Sequence, residues 1–261
     1  METAALSAGY DVFKFFLLVM ARFMGVFVQA PIWASHHIPM QGRVGVALWV
    51  TIAIFPALSV PKGLPQELIP YAILLAGQVL IGALIGLVSF LVMAAVQTAG
   101  ELIDIQLGLS IAASFDPSAG GTVNLIRRFE FYVAMIVYLV INGHHQFLRA
   151  LFRSFEVVPV TGIRITPASL ERLIPLTADI FYIAVQIGAP VLAALFITQV
   201  ALGLLSRVAP QMNVFMISFP LNILVGLSLV VASMPLALRV IIQLFEKNNE
   251  FVMELIKNLR F

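Results

Sequence analysis

The chain has 261 residues, of which 61% are hydrophobic and 11% are charged, whereas a soluble domain carries about 45–50% apolar and about 25% charged residues. This composition excludes an ordinary soluble protein and indicates a membrane-associated one. A net charge of +2, with no basic cluster among aromatic residues, argues against nucleic acid as a partner, and the lack of cysteine excludes disulfides and thiolate chemistry.

Six apolar segments follow one another along the chain. They cover about residues 12–33, 44–60, 68–100, 129–142, 180–206 and 208–238. Three of them, 68–100, 180–206 and 208–238, contain no Asp, Glu, Lys or Arg and are longer than the roughly 20 residues that cross a hydrocarbon core. Because a backbone in lipid must satisfy its own hydrogen bonds, and the alternation of a barrel strand is absent, the predicted fold class is all-α.

The N-terminus is the first feature in chain order. Glu2 and Asp11 precede the first basic residue, Lys14, which does not fit the basic start of a cleavable signal peptide. We therefore expect the first apolar segment to remain in the mature protein.

The third segment carries two features of interest. Gly82 and Gly86 have the spacing that lets two helices approach closely, although glycine is also common in membrane helices without such a role. At the end of the segment, Glu101 and Asp104 lie three residues apart, on one helical face with Gly108. They are interpreted as a polar helix end, since a proton relay would place its carboxylates deeper in the apolar run.

A stretch of small and apolar residues, Gly108–Gly121, follows. It includes Phe115, Asp116, Pro117, Gly120 and Gly121. A solvated loop would be more polar, and a lipid-facing loop could not satisfy its backbone. The composition therefore favours a loop that lines or fills a cavity in protein, with an apolar surface linker as the alternative.

The polar section 143–179 contains an amphipathic pattern. Phe147, Leu151 and Phe155 form an apolar stripe, with Arg149 and Arg153 on the other side. This pattern predicts a short interfacial helix. The tail after residue 239 has a similar periodicity, which predicts an amphipathic helix.

The last two segments are unusual for helices that contact only lipid. Polar amides and prolines lie in or beside them, at Gln186, Gln199, Gln211, Asn213, Asn222, Pro190, Pro210, Pro220 and Pro235. Amides at such depth bond to neighbouring helices, and proline interruptions are tolerated where protein satisfies the freed groups. The sequence therefore predicts protein neighbours for this region.

Sequence signals for catalysis and metal binding are absent. There is no G-x-S-x-G, P-loop or H-E-x-x-H pattern and no paired carboxylate inside an apolar segment. The pairs His36-His37 and His144-His145 point in different directions on a helix, so neither pair readily chelates one ion. We expect no enzyme activity, no cofactor and no metal.

Two stretches of this sequence resemble the FliR/SctT family of type III secretion export-gate proteins. The first is Gly203-Leu-Leu-Ser-Arg207-Val-Ala-Pro210-Gln211-Met-Asn213, continuing through Phe219-Pro220-Leu221 to Gly226-Leu227. The second is Glu101-Leu-Ile-Asp104-Ile-Gln106-Leu-Gly108 with Phe115-Asp116-Pro117. Length and segment order match the family as well, so the resemblance covers the whole chain.

The resemblance implies an architecture and a cellular role. Residues 1–179 would resemble a FliP subunit, with a plug loop at 108–122, and residues 180–261 would resemble a FliQ hairpin with an amphipathic tail. The chain would act with FliP, FliQ and FlhB, in contact with membrane lipid, in the export gate of the flagellar basal body. Unfolded flagellar proteins would cross the bacterial inner membrane there.

The same resemblance assigns roles to particular residues. The plug loop would include Gly108, Phe115, Asp116, Pro117, Gly120 and Gly121. The hairpin turn that contacts partners would include Arg207, Pro210, Gln211 and Asn213. Gly82 and Gly86 would remain helix-packing positions, and Glu101 and Asp104 the polar helix end.

Two other classes of protein stay open at this point. A stand-alone transporter or channel would use 108–122 as a re-entrant loop, and the prolines of the last two segments keep that hypothesis alive. A membrane-bound enzyme would need a convergent histidine or carboxylate cluster, which the sequence does not reveal.

Overall fold

The computed structural model describes residues 2–31, 38–61, 63–109, 124–161 and 173–258, and within those ranges it contains helices and no strand. The α-helices there are α1 (Glu2–Phe27), α2 (Met40–Ile54), α3 (Leu68–Leu107), α4 (Leu125–Val140), α5 (Gly143–Val157), α6 (Leu173–Val208) and α7 (Val214–Asn258), with a 3-10 turn at Phe55–Ala57. The all-α fold class predicted from composition is confirmed.

Fewer helices could span a membrane than the number of apolar segments suggests. Within the described residues, four are long and apolar enough, at Met40–Ala57, Leu68–Leu107, Thr177–Val208 and Met216–Lys257. The predicted segments 12–33 and 129–142 fall in α1 and α4 instead. Helix α1 contains Asp11, Lys14 and Arg22, and these charges disfavour a membrane span. Helix α4 has only 16 residues, which is shorter than a membrane span requires.

Helices α6 and α7 continue through prolines that the sequence suggested as interruptions. Pro190 lies inside α6, and Pro220 and Pro235 lie inside α7. The expectation of broken helices is wrong, because an internal proline removes one hydrogen bond and bends a helix without necessarily ending it. The predicted amphipathic tail is the last part of α7 up to Asn258, with Val252, Leu255 and Ile256 buried.

One compact unit consists of residues 1–91, 142–176 and 246–261. Its core joins side chains from α1, α3, α5 and α7, each of which is buried. They include Leu18, Phe23, Phe27, Ile81, Ile85, Phe147, Leu151, Val252 and Ile256. Each such side chain stabilises the fold by about 1.5–3 kcal/mol on burial, so these contacts hold together parts of the chain that are distant in sequence.

The amphipathic pattern of residues 143–157 contributes to this unit. Phe147, Leu151 and Phe155 of α5 are buried in its core, while Arg149 and Arg153 are exposed. The predicted helix and its apolar stripe are therefore present. The predicted position at the membrane interface is wrong, because the stripe packs against protein in the core of the first unit.

The second compact unit consists of residues 92–141 and 177–245. Its core is formed by α3, α4, α6 and α7 through Ile103, Leu107, Ile126, Val191, Leu195 and Val230. Leu195 and Val191 of α6 meet the Gly226 and Val230 regions of α7, so α6 and α7 pack as an antiparallel hairpin within this unit.

The two compact units divide the chain differently from the predicted boundary at residue 180. Each unit gathers several stretches of the chain, because α3 and α7 contribute one part to each. The predicted division concerns likeness to FliP and FliQ rather than compactness, and it stays a prediction.

Candidate functional site

The C-terminal end of α3 is shaped by Gly108. This glycine follows the last helical residue, Leu107, and has φ +79°, the left-handed conformation that commonly ends helices. Its N–H donates to the Ile105 carbonyl at 3.0 Å. A Cβ at this position would lie 2.9 Å from the Phe219 ring, so both conformation and space favour glycine where the predicted loop begins.

The remaining predicted plug residues, Phe115, Asp116, Pro117, Gly120 and Gly121, lie outside the described residues.

Asp104 joins the two helices that flank this loop. Its side chain is fully buried, and its carboxylate oxygens accept from the backbone N–H groups of Ile126 at 2.9 Å and Arg127 at 3.0 Å. These N–H groups belong to the first turn of α4, where helical partners are missing and a negative charge is favoured. Asp104 thus caps α4 from another helix and fixes both ends of the loop at one place.

A glycine allows the same two helices to meet. A Cβ on Gly100 of α3 would lie 2.5 Å from the Arg127 Cα and 2.7 Å from the Arg127 nitrogen. No side chain fits this space without moving the α4 backbone. Gly100 is therefore needed to bring the first turn of α4 within reach of Asp104.

Glu101 has a different environment from Asp104. Its carboxylate lies 3.8 Å from the Arg127 guanidinium, and both side chains are substantially exposed, at 49% and 39%. Arg127 also donates to Gln97 at 3.4 Å. An exposed pair of this kind contributes at most about 1 kcal/mol, so the two residues predicted together as a polar helix end differ in their contacts.

Gly82 and Gly86 lie where α3 crosses α1, in the first compact unit. A Cβ on Gly82 would overlap the Arg22 carbonyl oxygen, and one on Gly86 would lie 2.7 Å from the Val26 carbonyl oxygen. On the facing helix, a Cβ on Gly25 would overlap the Val79 carbonyl oxygen. The spacing noted in the sequence corresponds to a close contact of two backbones within this chain.

A buried arginine stands beside that crossing. Arg22 is fully buried, and it donates to the Gln78 side-chain oxygen at 2.7 Å, the Ser154 hydroxyl at 3.0 Å and the Val158 carbonyl at 3.0 Å. The Phe155 ring centre lies 4.1 Å from its guanidinium carbon. Neutral acceptors and an aromatic face therefore replace the water around this cation and tie α1 to α3 and α5.

The predicted hairpin turn lies between α6 and α7. Arg207, Pro210, Gln211 and Asn213 are all exposed. The turn is closed by the Met212 N–H donating to the Ala209 carbonyl at 3.0 Å. The Asn213 side-chain oxygen also accepts from the Met216 N–H at 3.3 Å, as a cap at a helix start does. The turn is thus held by local bonds, and its other polar groups face outward.

Comparison with known proteins identifies the family. Residues 13–248 match the family described as bacterial export proteins, family 1. The chain belongs to this family. Among its relatives, the flagellar biosynthetic protein FliR of Bacillus subtilis (strain 168) is 32% identical over 259 residues, covering 94% of this chain and 96% of the relative. FliR of Escherichia coli (strain K12) is 33% identical over 222 residues, covering 83% of each chain.

More distant FliR proteins also align with most of this export protein. FliR of Aquifex aeolicus (strain VF5) is 26% identical over 220 residues, covering 84% of this chain and 85% of the relative. The predicted resemblance to the FliR family is confirmed. The chain is accordingly a component of the flagellar export apparatus, with apolar helices suited to a membrane.

Sequence reasoning missed three residues of this export protein that the structure brings into prominence. Gly100 has no second glycine three or four residues away, and a pair of that spacing is the pattern that indicated Gly82 and Gly86. Arg22 and Glu130 lie inside apolar segments, and an ionisable residue in such a place is itself a functional signal. Neither the partners nor the burial of Arg22 and Glu130 could be predicted from the apolar segments alone.

Proposed function

We propose that this chain is the export-gate subunit that forms, with FliP and FliQ, the channel through which unfolded flagellar proteins cross the inner membrane. The observation that carries this proposal is similarity to FliR over nearly the full length of both chains. FlhB is proposed as a further partner at the turn 207–213. The division into a FliP-like part, 1–179, and a FliQ-like part, 180–261, belongs to the same proposal.

The surface of the α6–α7 hairpin supports a need for partner subunits. In its most apolar stretches, only 28% of α6 and 22% of α7 residues are buried, against 61% for α3. Large apolar side chains are exposed on both helices, including Phe181, Tyr182, Phe196, Ile197, Met216 and Val231. Exposed amides such as Gln186 accompany them, and an amide is better satisfied by a protein neighbour than by lipid tails.

The loop 108–122 is proposed to help plug the channel. Its small residues would let several backbones crowd one axis, and Asp116 followed by Pro117 favours a reversal of the chain. The Asp104 cap supports this role, because it holds the two flanking helices together at the base of the loop. The lone carboxylate of Asp116 would face a partner in the assembled gate.

The first test is purification of the tagged chain in mild detergent, followed by native mass spectrometry. We expect several FliP and FliQ chains to be recovered with it. The variants Arg207→Glu and Gln211→Ala should reduce that recovery, whereas Arg149→Glu, at an exposed position on α5, serves as the charge-reversal control. A stable lone protomer would contradict the proposal and favour a stand-alone transporter.

The plug role has its own test. Deletion of residues 115–121 should leave the complex intact but raise the permeability of the inner membrane to small solutes. The matched control is the complex that carries Arg149→Glu. An unchanged permeability barrier in the deletion variant would remove the plug from the proposed function and leave the subunit assignment standing.

A further inference from the structure

Glu130 is a buried carboxyl group in the second compact unit. It lies on α4, outside the four helices suited to span a membrane, and its side chain is 6% exposed. Among the residues that the structure describes, no group donates a hydrogen bond to its Oε2 atom. Buried carboxyl oxygens are nearly always bonded, so this atom needs a physical explanation.

Glu130 lines a small cavity of about 10 Å³, on the order of the space that one water molecule needs. The other walls are formed by α3, α6 and α7, together with Val133 of α4. They consist of Ile103, Val133, Ile187, Val191, Val230, Ser233, Met234, Ala237 and Ile241. Ser233 is the one polar residue among these, and its hydroxyl already donates to the Val230 carbonyl at 3.4 Å.

The charged groups around Glu130 do not neutralise a carboxylate. From α3, Asp104 adds a second negative charge, which is held by the Ile126 and Arg127 backbone N–H groups. The Arg127 guanidinium pairs with Glu101 at a largely exposed position, and Arg128 is exposed. The described lining from α6 and α7 contains no ionisable residue. Within the described part of the chain, a carboxylate in this place would be buried without a cation.

A buried carboxyl group without a neighbouring cation is more stable in its neutral form at neutral pH. Removing an isolated carboxylate from water costs so much that the group takes up a proton instead. The neutral acid also has an O–H that can donate, which the carboxylate lacks. Asp104 adds to the preference, because two neighbouring carboxyl groups resist carrying two negative charges.

We propose that Glu130 is a proton-binding site, and that the packing of α4 against α3, α6 and α7 belongs to its protonated form. Release of the proton leaves a carboxylate that requires water. The cavity must then open, and α4 loosens from the other three helices. This proposal does not rest on the proposed channel function, since the site is built from residues of this chain.

The pKa of Glu130 sets the pH range of this switch. Burial, followed by the charge of Asp104, raises the pKa of Glu130 to about 8. Between an ordinary carboxyl pKa and this value, the packed state holds a proton that the unfolded chain has already lost. Stability therefore falls as the pH rises through this window, is undiminished below it and changes no further above about pH 8.

Two measurements on the full-length chain, purified with whatever partners accompany it, test the site. Infrared difference spectra between about pH 5 and about pH 9 should show a protonated carboxyl band that is lost on titration and missing in Glu130→Gln. Protection of the α4 amides against hydrogen exchange should fall by up to about tenfold per pH unit within the window in the wild type. It should be independent of pH in Glu130→Gln, which keeps the shape of the side chain.

The control is Glu250→Gln, which removes an exposed carboxyl of α7 and should change neither measurement. The proposal stands only if both results are obtained. Absence of the band in the wild type would mean that Glu130 is ionised and paired with a cation, which overturns it. The same pH dependence of protection in wild type and Glu130→Gln would also overturn it, because the proton would then act elsewhere.

Discussion

Helix α3 makes two glycine-mediated crossings, one in each compact unit, and their polar surroundings differ. In the first unit Gly82 meets α1 beside the buried Arg22, whose donors reach three acceptors. In the second unit Gly100 meets α4 close to Asp104 and Glu130. There each carboxylate oxygen of Asp104 accepts from a backbone N–H group, and Glu130 keeps an oxygen without a donor within the described chain.

The comparison shows that the same feature, a glycine at a helix crossing, has different consequences in the two units. Close backbone contact at a glycine removes water from nearby ionisable side chains in both places. Where each nitrogen of the buried cation has an acceptor, as at Arg22, the network favours one arrangement of the helices. Where a polar atom is left unmatched, as at Glu130, the arrangement depends on protonation and can change.

Among the variants that test this comparison, replacement of Arg22 is expected to have the largest effect on stability. In Arg22→Leu, the oxygens of Gln78 and Ser154 lose their donors, at about 1–3 kcal/mol for each buried group left unpaired. We expect the first unit to unfold at a clearly lower Tm in detergent. Arg22→Lys should recover only part of the loss, because an ammonium cannot reproduce the planar fork.

The matched control for that experiment is Arg149→Leu, at an exposed arginine on α5. Its Tm should stay near the wild-type value. If Arg22→Leu unfolded at the same temperature as this control, the buried network would contribute little, and the proposed contrast between the units would fail.

The glycine crossings can be compared directly by adding one methyl group to each. Gly82→Ala and Gly100→Ala both place a Cβ against backbone of the facing helix, and overpacking of this kind costs about 1–3 kcal/mol or more. Gly45→Ala is the control, since nothing lies within 4 Å of its Cβ. Equal stability of all three variants in denaturant titrations would show that α3 can shift to relieve both contacts.

The cap on α4 has an intermediate effect. Asp104→Ala frees the N–H groups of Ile126 and Arg127 and should cost about 1–2 kcal/mol, as the loss of a helix cap does. Faster hydrogen exchange of amides at 126–128 would reveal it. Glu101→Gln, which removes an exposed ion pair, should cost at most about 1 kcal/mol. The reverse order would mean that the ion pair, and not the cap, holds α4.

The smallest effect on stability is expected at the hairpin turn. Arg207→Glu changes an exposed side chain, so the stability of the chain should stay within about 0.5 kcal/mol of the wild type. Recovery of FliP and FliQ chains should nevertheless fall. A stability loss comparable to that of Asp104→Ala would indicate that Arg207 acts within the fold rather than at a partner surface.

Local features of this fold could be predicted from the sequence, and contacts distant along the chain could not. Apolar runs predicted the helical class, and the Phe147–Phe155 pattern predicted α5 and its apolar stripe, although as an interfacial helix. The Gly82 and Gly86 spacing indicated a close approach, but not that α1 would be the neighbour. The role of Asp104 depends on N–H groups more than twenty residues further on, which no local pattern encodes.

The boundaries of the long helices were also beyond local reasoning. Prolines at 190, 220 and 235 suggested interruptions, yet α6 and α7 run through them, because packing along a long helix can outweigh one missing bond. The plug residues Phe115–Gly121 remain a prediction from family resemblance. What the sequence conveys there is composition, and composition alone does not fix a backbone.

The length of α3 has a consequence for how the chain relates to a bilayer. Its 40 residues correspond to about 60 Å at the rise of an α-helix, roughly twice the thickness of a hydrocarbon core. Even a strongly tilted helix of this length would extend beyond the acyl chains, since bilayers adapt by only a few ångströms. Where α3 crosses a bilayer, the apolar part that lies beyond the acyl chains requires protein to shield it from water.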